Sequence, residues 1–254
     1  MKIFILCGGL GTRLDYQGKL IAKTMINVGS DPILMHIIRN FSNQGYNEFV
    51  LCAGHKIETI KGFFKKINAQ IVIDKKNHLS LNTVISGKNI IIDIINTGKN
   101  SGTGGRIKIA YEKLSLNEDF IATYGDGLSN VSIKKLLKYH YNNNADLTLT
   151  AVRPKQRYGI IKMSKGRINY FDNSKKQSDI YINGGFFVIS KKIIKLIKNN
   201  KVYIENEPFE NVIKNKKLYS YKHHGFWASM DTLKDKMDLD KFAKNKKKLP
   251  WSIK

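Results

Sequence analysis

The sequence predicts an α/β protein with a mostly parallel sheet, and three observations carry that prediction. Short apolar runs, Ile3-Phe4-Ile5-Leu6-Cys7 and Phe49-Val50-Leu51-Cys52-Ala53, contain no charge, as strands buried on both faces require. Segments of helical periodicity follow them, and strand, helix, strand, helix is the order of right-handed parallel crossovers. Glycines stand where the runs end, at Gly8, Gly9 and Gly54, and ligands of such sheets bind beyond the carboxyl ends of the strands.

Size and composition narrow the class. The chain has 254 residues, 42% hydrophobic and 10% aromatic, which is ample for a globular core. No apolar run approaches the roughly 20 residues that span a membrane. The N-terminus carries no small-residue cleavage site, so no signal peptide is expected. Cys7 and Cys52 lie inside apolar runs, which suits reduced core thiols. These features predict a soluble cytoplasmic protein. The net charge is +24, from 44 basic and 20 acidic residues. Its lysine runs are scattered and lack interleaved aromatics, so they read as solvated faces that help to attract polyanions. Nucleic-acid binding is the minority reading, because no fold motif supports it.

The first run breaks into Gly8-Gly9-Leu10-Gly11-Thr12-Arg13. Glycine amides that converge can cradle a phosphate, and Arg13 offers a forked cation beside them. The spacing is neither the dinucleotide pattern nor a P-loop, which would end in Gly-Lys-Ser/Thr. Asp15 to Ala22 is polar and loop-like. Asp31-Pro32 then serves as cap and first turn of a helix that runs from Pro32 to Phe41 and ends at Gly45. His36 lies among its apolar residues and reads as a packed core histidine. A strand over Phe49–Ala53 and a helix over Ile57–Lys66 follow. The runs Ile71-Val72-Ile73 and Ile90-Ile91-Ile92 predict strands around a polar segment.

A second glycine-rich loop, Thr97 to Arg106, is expected to open a helix over Ile107–Leu114 with its amides toward an anion or a base edge. Next, Phe120-Ile121-Ala122-Thr123-Tyr124 delivers Gly125-Asp126-Gly127, a carboxylate with room around it. That is what Mg²⁺ needs beside a bound triphosphate. A helix over Ile133–Tyr141, a strand over Leu147–Val152 and a strand-like Tyr181–Ile189 come after. The segment 236–254 reads as a basic helix closing on Pro250-Trp251. His223 and His224 are adjacent, so on a strand they face opposite ways and form no metal pair.

Gly-Gly-x-Gly-Thr-Arg-Leu followed by a lysine resembles the signature of the sugar-phosphate nucleotidyltransferases, most closely the glucose-1-phosphate cytidylyltransferases. The resemblance recurs along nearly the whole chain: Thr103-Gly104-Gly105-Arg106, Tyr124-Gly125-Asp126-Gly127, Gln156 to Ile161, Ile182-Asn183-Gly184-Gly185-Phe186-Phe187, Glu205-Asn206-Glu207-Pro208 and Gly225-Phe226-Trp227 to Thr232. It implies a Rossmann-like nucleotidyltransferase fold with a small acceptor-side subregion. A single domain is expected, 1–254, with its nucleotide-binding half over 1–130 and its acceptor half over 131–254. It implies nucleotide contacts from Leu6, Cys7, Gly8, Gly9, Gly11, Thr12, Arg13, Lys23, Ser101 and Arg106. Acceptor contacts come from Tyr124, Asn183, Gly184 and Lys176, and Mg²⁺ is held by Asp126 and Asp231. Catalytic roles fall to Arg13, Lys23, Asp126 and Asp231.

Three departures qualify the resemblance. Ala22 and Thr24 replace prolines that flank the family's lysine, and Asn130 stands where a second aspartate is usual. Relatives that use a sugar phosphate carry Glu-Lys-Pro about where this chain has Asn173-Ser174-Lys175. The lost glutamate leaves sugar hydroxyls without an acceptor. The expected reaction joins CTP to a phosphorylated small molecule, either glucose-1-phosphate or a non-sugar phosphate such as phosphoglutamine, for surface polysaccharide or capsule precursors. A nucleotide-binding regulatory module without catalysis is the alternative, and homo-oligomerisation is left open.

Overall fold

The computed structural model describes residues 1–9, 21–67, 69–154, 159–172, 180–244 and 249–253. Nine strands form one sheet: β1 (Ile3–Leu6), β2 (Glu48–Ala53), β3 (Gln70–Lys75), β4 (His78–Ile85), β5 (Lys88–Asn96), β6 (Phe120–Tyr124), β7 (Leu147–Val152), β8 (Ile182–Ile189) and β9 (Leu218–His223). Their order across the sheet is β9-β7-β8-β6-β1-β2-β5-β4-β3. Central β1 pairs in parallel with both β2 and β6, β2 with β5, and β7 with β9. Only β4 and β8 run against the rest. The mostly parallel sheet is therefore as expected.

Alternation along β1 shows how the layers are built. Ile3 and Ile5 face one core, shared with helices α1 (Ile33–Asn43), α2 (Ile57–Lys66) and α4 (Ile133–Asn142). Phe4 and Leu6 face the other, shared with α3 (Thr103–Lys113) and α5 (Glu207–Lys214). All four β1 residues are buried, so a charge in this run would be stranded between two apolar layers.

Some expected boundaries shift for identifiable reasons. The polar segment between the two isoleucine runs is itself a strand, β4, making β3-β4-β5 an antiparallel meander. His78 to Leu81 of β4 are buried on both faces, and only its second half alternates, with Thr83 and Ile85 buried and Asn82 and Val84 exposed. Asp31 does not cap α1, because its carboxylate takes Arg39 Nη1 at 2.7 Å and Nη2 at 3.2 Å. The last helix, α6 (Leu233–Lys244), carries Asp235, Asp238 and Asp240 among four lysines, so it is mixed in charge rather than basic. Beyond it, Trp251 is 1% exposed and meets the His36 ring edge-on at 5.4 Å, so the chain end packs on the body. Among the described residues no helix is long and apolar enough to cross a membrane.

His36 is the core histidine expected, 6% exposed with Nε2 2.9 Å from the Val28 carbonyl. Burial pushes its pKa below the ordinary 6.5, and the same cause acts on His140, which is 1% exposed. Such a group binds its proton more readily in the unfolded chain. Its stabilising contribution is complete above the unfolded value near 6.5 and is lost as pH falls below it. His36→Gln is expected to lose about 1–2 kcal/mol at pH 7 yet show a shallower decline in unfolding free energy from pH 7 to pH 5. Urea titrations at several pH values measure both, and parallel pH slopes would contradict the assignment.

Candidate active site

The strand ends β1 and β6 open into a cleft of about 550 Å³. Leu6, Gly8, Gly9, Lys23, Ser101, Arg106, Tyr124, Asp126 and Asp231 line it, so residues expected of the nucleotide, acceptor and metal sites meet in one place. Gly11, Thr12, Arg13 and Lys176 lie outside the described residues, as does the Asn173-Ser174-Lys175 departure.

Asp126 and Asp231, 105 positions apart in sequence, are brought together by backbone pairing. After β6, Gly127–Ser129 pairs antiparallel with Trp227–Ser229, and Met230 N donates to Asp126 O at 2.9 Å. Between the two carboxylates sits Lys23, on the single turn Lys23–Met25. Its Nζ donates to Asp126 Oδ2 at 2.5 Å and to Asp231 Oδ1 at 2.8 Å. Burial opposes the Lys23 cation, but the two aspartates outweigh it and hold its pKa above the ordinary lysine value. Two carboxylates bracketing one cation fit a hard divalent ion that completes its shell with phosphate oxygens. A third protein ligand is not supplied: among the described residues no group of three or more His, Cys, Asp or Glu converges.

Arg106 joins the two glycine-rich loops. Its Nη1 donates to Thr97 Oγ1 at 2.9 Å and to the Gly98 carbonyl at 2.6 Å, and its Nη2 to the carbonyls of Gly8 and Lys99 at 3.0 Å each. Its fork is thus turned to the protein's own carbonyls, and it shapes the phosphate cradle more than it faces a ligand. This explains two of the glycines. A Cβ on Gly8 would lie 2.1 Å from Arg106 Nη1, and one on Gly54 would lie 2.4 Å from it. A side chain at either position would expel the guanidinium.

The second loop departs from expectation. Its Thr-Gly-Gly-Arg forms the first turn of α3 instead of preceding it. The amides of Gly102 and Gly105 donate to the carbonyls of Asn200 at 2.9 Å and Val202 at 3.0 Å, so neither is presented to an anion. The glycines serve packing, since a Cβ on Gly105 would lie 1.9 Å from the Asn200 oxygen. That close approach carries Tyr203 into the cleft wall, where Lys99, Asn100, Thr103 and Gly125 also stand. No sequence pattern singled out Tyr203, because its place depends on a backbone contact between distant segments. Ser101 lines the cleft and donates its hydroxyl to Thr97 O at 2.5 Å.

Other expected contacts sit behind the wall. Cys7 is 2% exposed, its amide donates to Cys52 O at 3.0 Å, and burial pushes its thiol up to about 12, so it is an inert core thiol. Gly184 is buried and its carbonyl accepts from Trp227 Nε1 at 2.8 Å. Asn183 reaches the Tyr124 hydroxyl at 3.2 Å. Asn130, in place of an aspartate, pairs its Oδ1 with His223 Nε2 at 3.0 Å, so His223 is used structurally.

Arg106→Lys keeps the charge but loses the fork. It is expected to lower unfolding free energy by about 2 kcal/mol or more, since several carbonyls lose a charged donor. Urea unfolding measures this, and wild-type stability would contradict the clamp.

Comparison with known proteins gives the family. The nucleotidyl transferase family profile matches residues 2–235. The glucose-1-phosphate cytidylyltransferase of Salmonella typhi is 36% identical over 255 residues, covering 99% of this chain and 98% of that protein. A Bacillus subtilis protein named probable glucose-1-phosphate cytidylyltransferase is 34% identical, covering 100% of both. A solved UDP-glucose pyrophosphorylase complexed with UDP-glucose shares the fold at a TM-score of 0.69 and 16% identity, covering 97% of this chain and 99% of that one. With its central strand ending at Gly8-Gly9, and its two aspartates gathered on one cation in the cleft beyond, the chain belongs to the nucleotidyl transferase family.

Proposed function

We propose that this chain is a cytidylyltransferase that joins CTP to glucose-1-phosphate, giving CDP-glucose and pyrophosphate for surface polysaccharide or capsule precursors. The observation that carries the reading is Lys23 held between Asp126 and Asp231 in a cleft that Gly8, Gly9, Lys99 and Ser101 also line. The full-length likeness to proteins named glucose-1-phosphate cytidylyltransferase supports CTP and the sugar phosphate.

In this reaction an oxygen of the acceptor phosphate attacks the α-phosphorus of CTP. A new P–O bond forms, the bond to the bridging oxygen breaks, and pyrophosphate leaves. The attacking oxygen is already anionic, so no general base is needed. Asp126 and Asp231 would hold Mg²⁺, which supplies charge neutralisation at the phosphates. Lys23, released from the carboxylates, provides a mobile cation for the triphosphate, with Arg13 as a second. Gly9 has open space where a side chain would stand, which lets a nucleotide approach the backbone.

A second reading keeps CTP but changes the acceptor. The missing glutamate near Asn173 favours a non-sugar phosphate such as phosphoglutamine. Pyrophosphate release with CTP, Mg²⁺ and both acceptors separates the two. Turnover with glucose-1-phosphate is expected, with Asp126→Asn and Asp231→Asn each reducing kcat by about a thousandfold and Lys23→Ala by about a hundredfold. Turnover with phosphoglutamine alone would replace the first acceptor by the second. Unchanged activity in Asp126→Asn would overturn both.

A further inference from the structure

Glu205 stands behind the cleft wall, yet its carboxylate governs two residues that line it. Its Oε1 accepts the Tyr124 hydroxyl and its Oε2 accepts the Thr103 hydroxyl at 2.5 Å. Tyr124 and Thr103 both face the cleft, from the end of β6 and the start of α3. Each hydroxyl has a single proton, and a carboxylate can only accept, so both protons are committed away from the ligand.

The remaining valences are also assigned. Thr103 Oγ1 accepts from Ile204 N at 3.0 Å, and the Tyr124 oxygen accepts from Asn183 Nδ2 at 3.2 Å. The Asn183 amide is held in that orientation because its Oδ1 accepts from Gly185 N at 2.9 Å. What the two hydroxyl oxygens have left to offer is a lone pair each. A phosphate, which only accepts, gains nothing there and meets the Glu205 charge behind. A group that donates is matched. The cations Lys23 and Lys99 line the same cleft, so it has a phosphate-accepting part and a hydroxyl-accepting part.

We propose that Glu205 is a positioning residue that fixes Tyr124 and Thr103 as hydrogen-bond acceptors, so that this wall selects ligand hydroxyls, as on a sugar phosphate. The selectivity rests on the reaction proposed above, whereas the clamp itself does not. The wall thereby offers sugar hydroxyls the acceptors that the missing glutamate does not.

The test uses glucose-1-phosphate and its deoxyfluoro analogues, because fluorine does not donate. At least one analogue is expected to raise the acceptor KM about tenfold with the wild-type enzyme. Glu205→Gln and Tyr124→Phe should each cut that penalty to about threefold or less, leave the CTP KM within about twofold, and not add to each other. Equal penalties in all three enzymes, or parallel losses for CTP and acceptor that add in the double variant, would overturn the proposal. The clamp is also read without turnover, from the Tyr124 hydroxyl proton in NMR spectra. Donated to a carboxylate, it should resonate downfield in the wild type and move upfield in Glu205→Gln, and an unchanged resonance would overturn the clamp. Absence of turnover with any sugar phosphate, with the resonance shifted as expected, would count against the reaction and in favour of the clamp.

Discussion

The site depends on one electrostatic arrangement: a half-buried lysine cation shared by two carboxylates that lie 105 positions apart in the sequence. Asp126 and Asp231, both within hydrogen-bond reach of one ammonium, would repel each other without a cation between them. Lys23 supplies it at 2.5 and 2.8 Å. The turn carrying Lys23, the strand-end Asp126 and the pairing of Gly127–Ser129 with Trp227–Ser229 are therefore mutually dependent. Partial burial strengthens each interaction relative to a surface ion pair, and it makes the loss of any one partner costly.

Two polar clamps shape the cleft around that centre. Arg106 gathers carbonyls from both glycine-rich loops, and the glycines beside it exist to admit the guanidinium. Glu205 ties the start of α3 to the end of β6. Neither residue needs to touch phosphate to matter, because each sets the position or proton direction of groups that do face the cleft. Rigid positioning of this kind is what makes an active site effective.

Much of this was legible in the sequence. Uncharged apolar runs gave β1 and β2 because burial on both faces leaves no alternation to misread, and the α2 boundaries follow from its periodicity. Asp126 could be placed because a strand followed by Gly-Asp-Gly has few other uses, and Asp231 entered through resemblance alone. What the sequence left unread has a common cause. Arg106 looks like a ligand cation until its four carbonyl and hydroxyl partners are seen, and these come from residues 8 and 97–99. Tyr203 and Glu205 reach the site only because α3 packs against residues 200–204, a contact between segments about 100 positions apart. β4 was hidden because polar His78, Ser80 and Thr83 are buried in it beside Leu79 and Leu81, so its sequence reads as a polar segment.

Binding of Mn²⁺, followed by its EPR signal with and without CTP, tests the central claim most directly. A metal held by Asp126 and Asp231 would compete with Lys23 for the same carboxylates, so on this account wild-type protein should bind Mn²⁺ weakly alone and about tenfold or more tightly with CTP, whose phosphates would draw the lysine away. Lys23→Met should bind Mn²⁺ alone more tightly than wild type. Equal Mn²⁺ affinity in the two proteins, with or without CTP, would contradict the account.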